Sequence, residues 1–107
     1  KIEYLKRLGC EIVLMKKQKN KFYNMQIVLE KIYKLKINDI LVEAGGIFFT
    51  NLLNKSLVDE LHLFTSEIKI GDKGKQFIVN SQLEDYNFSE VMRKKFRNDV
   101  YKYLKIN

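Results

Sequence analysis

Cysteine and histidine are almost missing from this chain of 107 residues, which contains one of each, Cys10 and His62. A single cysteine excludes an intrachain disulfide and a cysteine-rich metal site, so we expect Cys10 to be a small buried apolar side chain. A lone histidine without other ligands at suitable spacing predicts no metal site. We therefore interpret His62 as an ordinary residue on a sheet face.

Long apolar runs are also missing. No run approaches the roughly 18 residues needed to span a bilayer, and the N-terminus lacks the pattern of a secretory signal. These absences predict a soluble, cytoplasmic protein without a membrane partner. Proline is absent too, and with 107 residues the sequence predicts one small domain over residues 1–107. The first residue is Lys1 and not methionine, and the chain begins in the middle of a helical pattern. We therefore expect the chain to be part of a longer protein.

What the chain does have is core-forming and basic residues. Its composition is 46% apolar and 12% aromatic, with a formal charge of +7, which predicts a folded chain despite the charge. The positive charge is mostly lysine. It is weak evidence for nucleic acid, because a positive potential concentrates any anion, phosphate-bearing small molecules included.

Hydrophobic periodicity predicts alternating strands and helices. Helices are expected over residues 2–8 (ended by Gly9), 25–36 (capped by Asn24) and 47–56. Buried parallel strands are expected over 10–15 and 38–44, a third strand over 57–66, and a polar loop over 16–24. Two further runs, 87–96 and 100–106, predict an antiparallel hairpin with its turn at Asn98-Asp99. The fold class is therefore α/β, with a right-handed βαβ unit and a C-terminal hairpin.

A carboxylate and two glycines stand where the second predicted strand meets a helix. Ligands of open α/β sheets bind at the carboxyl ends of strands. Gly45 and Gly46 allow a sharp turn and the approach of a phosphate to the helix that starts near Ile47, with Glu43 beside it. Many such connections use glycine only to turn, and the sequence is neither G-x-G-x-x-G nor a Walker loop. Glu43 could likewise be a solvated carboxylate favoured by the helix dipole.

A longer pattern resembles a known family. "LVEAGG", then "LVDELHLF", then Gly71 and Gly74, and finally "NDVYKYLKI" are similar to the C-terminal reductase domain of the bifunctional bacterial riboflavin-biosynthesis deaminase/reductase. The resemblance implies a partial dihydrofolate-reductase-like three-layer sandwich, with parallel strands and a C-terminal antiparallel hairpin. The chain departs from the family where Ser66-Glu67 replace a common proline. It also lacks the family's first large segment, so it resembles the second half of the domain only.

The resemblance also implies roles. Ala44, Gly45, Gly46 and Ile47 are expected to bind NADPH, and Glu43 to face the ribosyl chain of 5-amino-6-(5-phosphoribosylamino)uracil as the catalytic carboxylate. The reaction opens the ribosyl ring to a ribityl chain, and the hydride chemistry belongs to the cofactor. Because part of the expected site is missing, we expect the chain alone to be inactive.

Several alternatives remain open. A reductase of the same fold acting on folate or a pterin is one, and a basic nucleic-acid-binding module is another, although the scattered basic residues disfavour it. Tyr101 and Tyr103 alternate with lysines and could stack bases, but packing on a sheet or in a dimer explains them better. Asp59 and Glu60 point to opposite faces of a strand, which favours structural roles. We also expect a homodimer, because exposed sheet edges and apolar faces favour self-pairing.

Overall fold

The computed structural model describes residues 1–16 and 23–107, which form two compact units, Lys1–Ile40 and Leu41–Asn107. Most of the predicted polar loop over residues 16–24 lies outside the described residues. The elements in chain order are α1 (Ile2–Arg7), α2 (Met25–Lys34), α3 (Gly46–Leu53), β1 (Glu60–Thr65), a 3₁₀ turn (Leu83–Asp85), β2 (Phe88–Phe96) and β3 (Asp99–Ile106).

The helices of the first unit begin at the predicted residues, and they end one residue (α1) and two residues (α2) earlier than predicted. After α1, the amide of Gly9 donates to the carbonyl of Lys6 and the amide of Cys10 to that of Leu5. With Gly9 at φ +80°, these bonds form a Schellman cap, which glycine favours because it has no Cβ. At the start of α2, the Asn24 side chain accepts a hydrogen bond of 3.0 Å from the amide of Gln26. Both predicted caps are confirmed.

The structure does not show the two predicted parallel strands. Residues 10–16 and 37–45 lie outside any helix or strand, and Leu14 and Leu41 are 74% and 81% exposed. Apolar runs of this kind become parallel strands only when neighbouring strands complete their hydrogen bonds and both sheet faces are covered. The prediction that Cys10 is buried was wrong, since the residue is exposed.

The second unit contains a three-stranded antiparallel sheet in the order β1-β3-β2. The predicted hairpin of β2 and β3 is confirmed, with a register irregularity between Glu90 and Met92. Its turn was predicted one residue too far along the chain. Arg97 and Asn98 form it, Arg97 takes the left-handed conformation at φ 54°, and Asp99 already pairs with Phe96.

The core of the second unit is small. Its buried apolar residues come from the end of α3, from the segment before the 3₁₀ turn and from the central strand: Leu52, Leu53, Ile78 and Leu104. The central strand supplies Leu104 because it is the strand with a neighbour on each side. Among the described residues, no helix is long and apolar enough to cross a membrane.

Candidate functional site

The turn that leads into α3 carries the five residues predicted to form the site. Glu43, Ala44 and Gly45 precede the helix, Gly46 is its first residue and Ile47 its second. Gly45 is the N-cap, with extended backbone angles and no side chain to cap the helix. The first amides of a helix have no partner within it, and a positive end of the helix dipole adds to their attraction for anions. Glu43, Ala44, Gly45 and Ile47 are exposed and Gly46 is half-buried.

The two glycines of this turn have different surroundings. A Cβ atom on Gly45 would meet nothing within 4 Å, whereas a Cβ on Gly46 would overlap the carbonyl oxygen of Gln76 and lie 3.2 Å from the carbonyl carbon of Phe77. Gly46 is therefore required by the close approach of another backbone segment. Gly45 is the glycine whose missing side chain leaves open space at the helix N-terminus.

A buried threonine holds the same backbone segment one helical turn further along. The Thr50 hydroxyl accepts a hydrogen bond of 2.9 Å from the amide of Val79, and Thr50 is 7% exposed. Residues 46 and 50 are four apart and share one face of α3. Sequence analysis did not predict this contact between α3 and residues 76–79. No local pattern indicated it, because the helix was predicted to start near Ile47, after both glycines, whereas it starts at Gly46.

A second cluster of side chains lies on one face of the sheet, which we call the aromatic face. Directly paired residues of β1 and β3 share a face, and the register pairs Glu60 with Lys105, His62 with Tyr103, and Phe64 with Tyr101. The rings of His62 and Tyr103 stack with centroids 4.9 Å apart. The prediction that His62 lies on a sheet face is confirmed, and so is the packing of both tyrosines on a sheet.

Hydrogen bonds and charges link the polar groups of the aromatic face. His62 Nδ1 and the Tyr101 hydroxyl are 2.8 Å apart, and Lys105 Nζ lies 3.2 Å from a Glu60 carboxylate oxygen. Hydrogen bonds from Tyr103 and Lys105 lower the pKa of Glu60, while the bond to Glu60 raises the pKa of Tyr103. The bond to Tyr103 raises the pKa of Lys105, and the bond to Glu60 adds to this effect. Glu60 thus has the ion-pairing role expected for it.

The described residues contain no group of three or more histidine, cysteine, aspartate or glutamate side chains that could hold a metal ion. The chemistry that the α3 turn can offer is attraction of an anion to the free amides at the start of the helix. Glu43, two residues before the N-cap, is an exposed carboxylate.

The fold and the turn define a small α/β chain with an antiparallel three-stranded sheet and a glycine turn at a helix N-terminus. The chain belongs to the RibD C-terminal domain family, whose model matches residues 1–102. This confirms the family suggested by the sequence.

Solved structures of RibD show a similar fold. Two forms of Acinetobacter baumannii RibD match with TM-scores of 0.72 and 0.71, each at 18% sequence identity and over 98% of this chain. The chain spans 29% of the length of each of those proteins. No curated protein matches the sequence.

Proposed function

We propose that this chain is the C-terminal portion of an NADPH-dependent reductase domain acting on 5-amino-6-(5-phosphoribosylamino)uracil in riboflavin biosynthesis. Membership of the RibD C-terminal domain family carries this proposal. A reductase of the same fold acting on a folate or pterin is the alternative, since the proposed site at α3 would bind an anionic cofactor and would not specify one particular substrate.

In this proposal Ala44, Gly45, Gly46 and Ile47 bind the cofactor. The observation that supports cofactor binding here is the open space around Gly45. This space lets a pyrophosphate approach the amides at the start of α3 without meeting a side chain. NADPH, when bound, supplies the hydride that reduces C1 of the ribosyl group. The chain's contribution is to hold the anionic cofactor at a positive helix end.

Glu43 is the proposed catalytic residue. It is exposed and lies two residues before the N-cap of α3, so its carboxylate is close along the chain to the proposed cofactor site. A carboxylate in this place can accept hydrogen bonds from ribosyl hydroxyls and can transfer a proton after hydride arrives. Because the parent protein is proposed to supply the rest of the site, we expect no turnover from these 107 residues alone.

We also propose that the longer parent completes the dihydrofolate-reductase-like sandwich. The exposed apolar segments 10–15 and 38–44 are then paired as parallel strands, because neighbouring strands and helices cover them. The supporting observation is the exposure of Leu14 and Leu41. In the isolated chain these side chains contact water, and covering them would stabilise the protein by about 25 cal/mol per Å² of apolar surface.

Gly45→Val tests the cofactor site. We expect this variant to weaken NADPH binding by at least about tenfold, or about 1.4 kcal/mol, since the side chain fills the space through which the phosphate approaches. The measurement is an NMR titration of the wild-type chain and the variant, following the amides of residues 45–47. Phe64→Ala, on the aromatic face, is the control and should bind as the wild type does. Cofactor binding that leaves these amides unmoved, or equal affinity of Gly45→Val, contradicts the proposal.

We propose a homodimer built around the C-terminal hairpin, because β2 is an exposed edge strand that, within residues 1–16 and 23–107, pairs with β3 alone. Val91, Met92 and Phe96 of this strand are 53%, 42% and 54% exposed, and exposed apolar edges favour pairing with another copy. We expect sedimentation velocity to show a dimer that Phe96→Lys converts to a monomer. A wild-type chain that sediments as a single monomeric species contradicts the dimer.

A further inference from the structure

An open polar depression on the surface, which we call the polar cavity, is lined in part by the segment that packs on α3. Its volume is about 430 Å³, and it is lined by Gln76, Ile78, Asn80, Ser81, Gln82 and Asp85. This volume falls within the range of small-molecule sites, roughly 300 to 1,000 Å³. Ile78 is 6% exposed and is the buried member of the lining, and the other five lining residues are polar.

The cavity adjoins the turn proposed to bind the cofactor. Its first lining residue, Gln76, is the residue whose carbonyl oxygen occupies the space beside Gly46. Three residues later, Val79 is held to α3 by the hydroxyl of Thr50. The position of the cavity relative to the start of α3 is therefore fixed at two points by direct contacts.

Hydrogen bonds also fix the part of the lining that residues 81–85 form. The Asp85 carboxylate accepts a bond of 2.8 Å from the amide of Gln82. Ser81 Oγ lies 3.0 Å from the Tyr86 hydroxyl, which donates to the Asn54 side chain at 2.7 Å. These bonds hold residues 81–86 in one arrangement without a ligand, which reduces the ordering that binding requires.

The lining selects for one kind of ligand. It offers three side-chain amides, one hydroxyl and one carboxylate, and none of the six lining residues is a cation. Amides and hydroxyls both donate and accept hydrogen bonds, which suits the hydroxyls of a polyol. A phosphate would meet the Asp85 carboxylate without a compensating positive charge.

We propose that this cavity binds the uncharged polyhydroxyl part of a ligand, a ribosyl or ribityl chain, next to the phosphate-binding turn at α3. This inference rests on the proposed function, because it assigns a place to the sugar part of the same substrate. It assigns the parts of the ligands to neighbouring regions: the helix N-terminus binds the anionic cofactor, Glu43 faces the reacting end of the sugar, and the polar cavity, whose lining holds no cation, binds the remaining sugar hydroxyls.

The test is an NMR titration of the 107-residue chain with ribitol, following the side-chain amides of Gln76, Asn80 and Gln82. We expect these resonances to shift together and saturate with a dissociation constant on the order of 10 mM, the affinity typical of so small a ligand. Asn80→Gly should weaken ribitol binding about fivefold by removing one neutral hydrogen-bonding group. Glycine keeps the backbone of this position, which has φ 59°. Arg97→Gly, at φ 54° in the hairpin turn, is the matched control and should bind normally.

Every outcome of the ribitol titration either supports or contradicts the proposed sugar site. If Asn80→Gly fails to fold, Gln76→Ala is the second variant, because it changes an exposed side chain. It should weaken ribitol binding to a similar extent. The absence of ribitol-dependent shifts, or shifts of these same amides by inorganic phosphate instead, overturns the proposal. A failure of NADPH to move residues 45–47 while ribitol shifts the cavity amides overturns the proposed cofactor site and leaves the cavity assignment in place.

Discussion

Gly46→Ala is expected to destabilise the chain by about 3 kcal/mol, the upper part of the range for overpacking a filled space. The added Cβ overlaps the carbonyl oxygen of Gln76 and crowds the carbonyl carbons of Gln76 and Phe77, at 3.1 and 3.2 Å. All of these are backbone atoms, so no side chain can turn aside to make room. The higher helix propensity of alanine offsets at most about 1 kcal/mol of this loss.

The measurement is the urea midpoint of the wild type and variant at equal m-value. Since a chain of this size is stable by about 5 to 15 kcal/mol at most, the loss is a large fraction of the total. Gly45→Ala is the matched control. Its Cβ meets nothing within 4 Å, and the weaker N-cap is offset by the lower entropy of the unfolded chain, so we expect a change within about 0.5 kcal/mol. Equal effects of the two substitutions would show that residues 76 and 77 do not pack on α3 as described.

Leu104→Ala is expected to destabilise the second unit by about 3 kcal/mol, within the usual range for a buried leucine. Leu104 is 6% exposed and lies on the central strand, paired with Leu61 on one side and Glu90 on the other. Removing its side chain leaves a cavity in a core with few other buried residues, and the neighbouring strands cannot close it without shifting their register. The free energy of unfolding from urea titration measures the loss.

Leu41→Ala makes the same chemical change at a position that is 81% exposed. In the isolated chain we expect it to alter stability by less than about 0.5 kcal/mol. In the full parent protein, where we propose that residues 38–44 are a covered strand, the same substitution should cost about 2 kcal/mol or more. Equal, small effects in both proteins would argue against that strand.

The local features that sequence analysis predicted correctly depend on residues near one another in the chain. The caps at Gly9 and Asn24, the helix that starts at the glycines and the hairpin of β2 and β3 were all identified from periodicity and turn chemistry. The hairpin turn was displaced by one residue, because Arg97 takes the left-handed conformation and Asp99 already pairs with Phe96. The family resemblance was also readable in the sequence, since it rests on short patterns in a fixed order.

The sequence by itself thus determined the helices, the hairpin and the presence of a carboxylate with two glycines before α3. The tertiary structure decided which glycine is packed and which is open, that Thr50 holds Val79, and that a polar cavity begins at Gln76. It also decided that the apolar segments before α3 are not strands in this chain. Helices and hairpins are stabilised by contacts within a few residues, whereas parallel strands, close backbone approaches and cavities depend on partners distant in sequence, whose position no local pattern specifies.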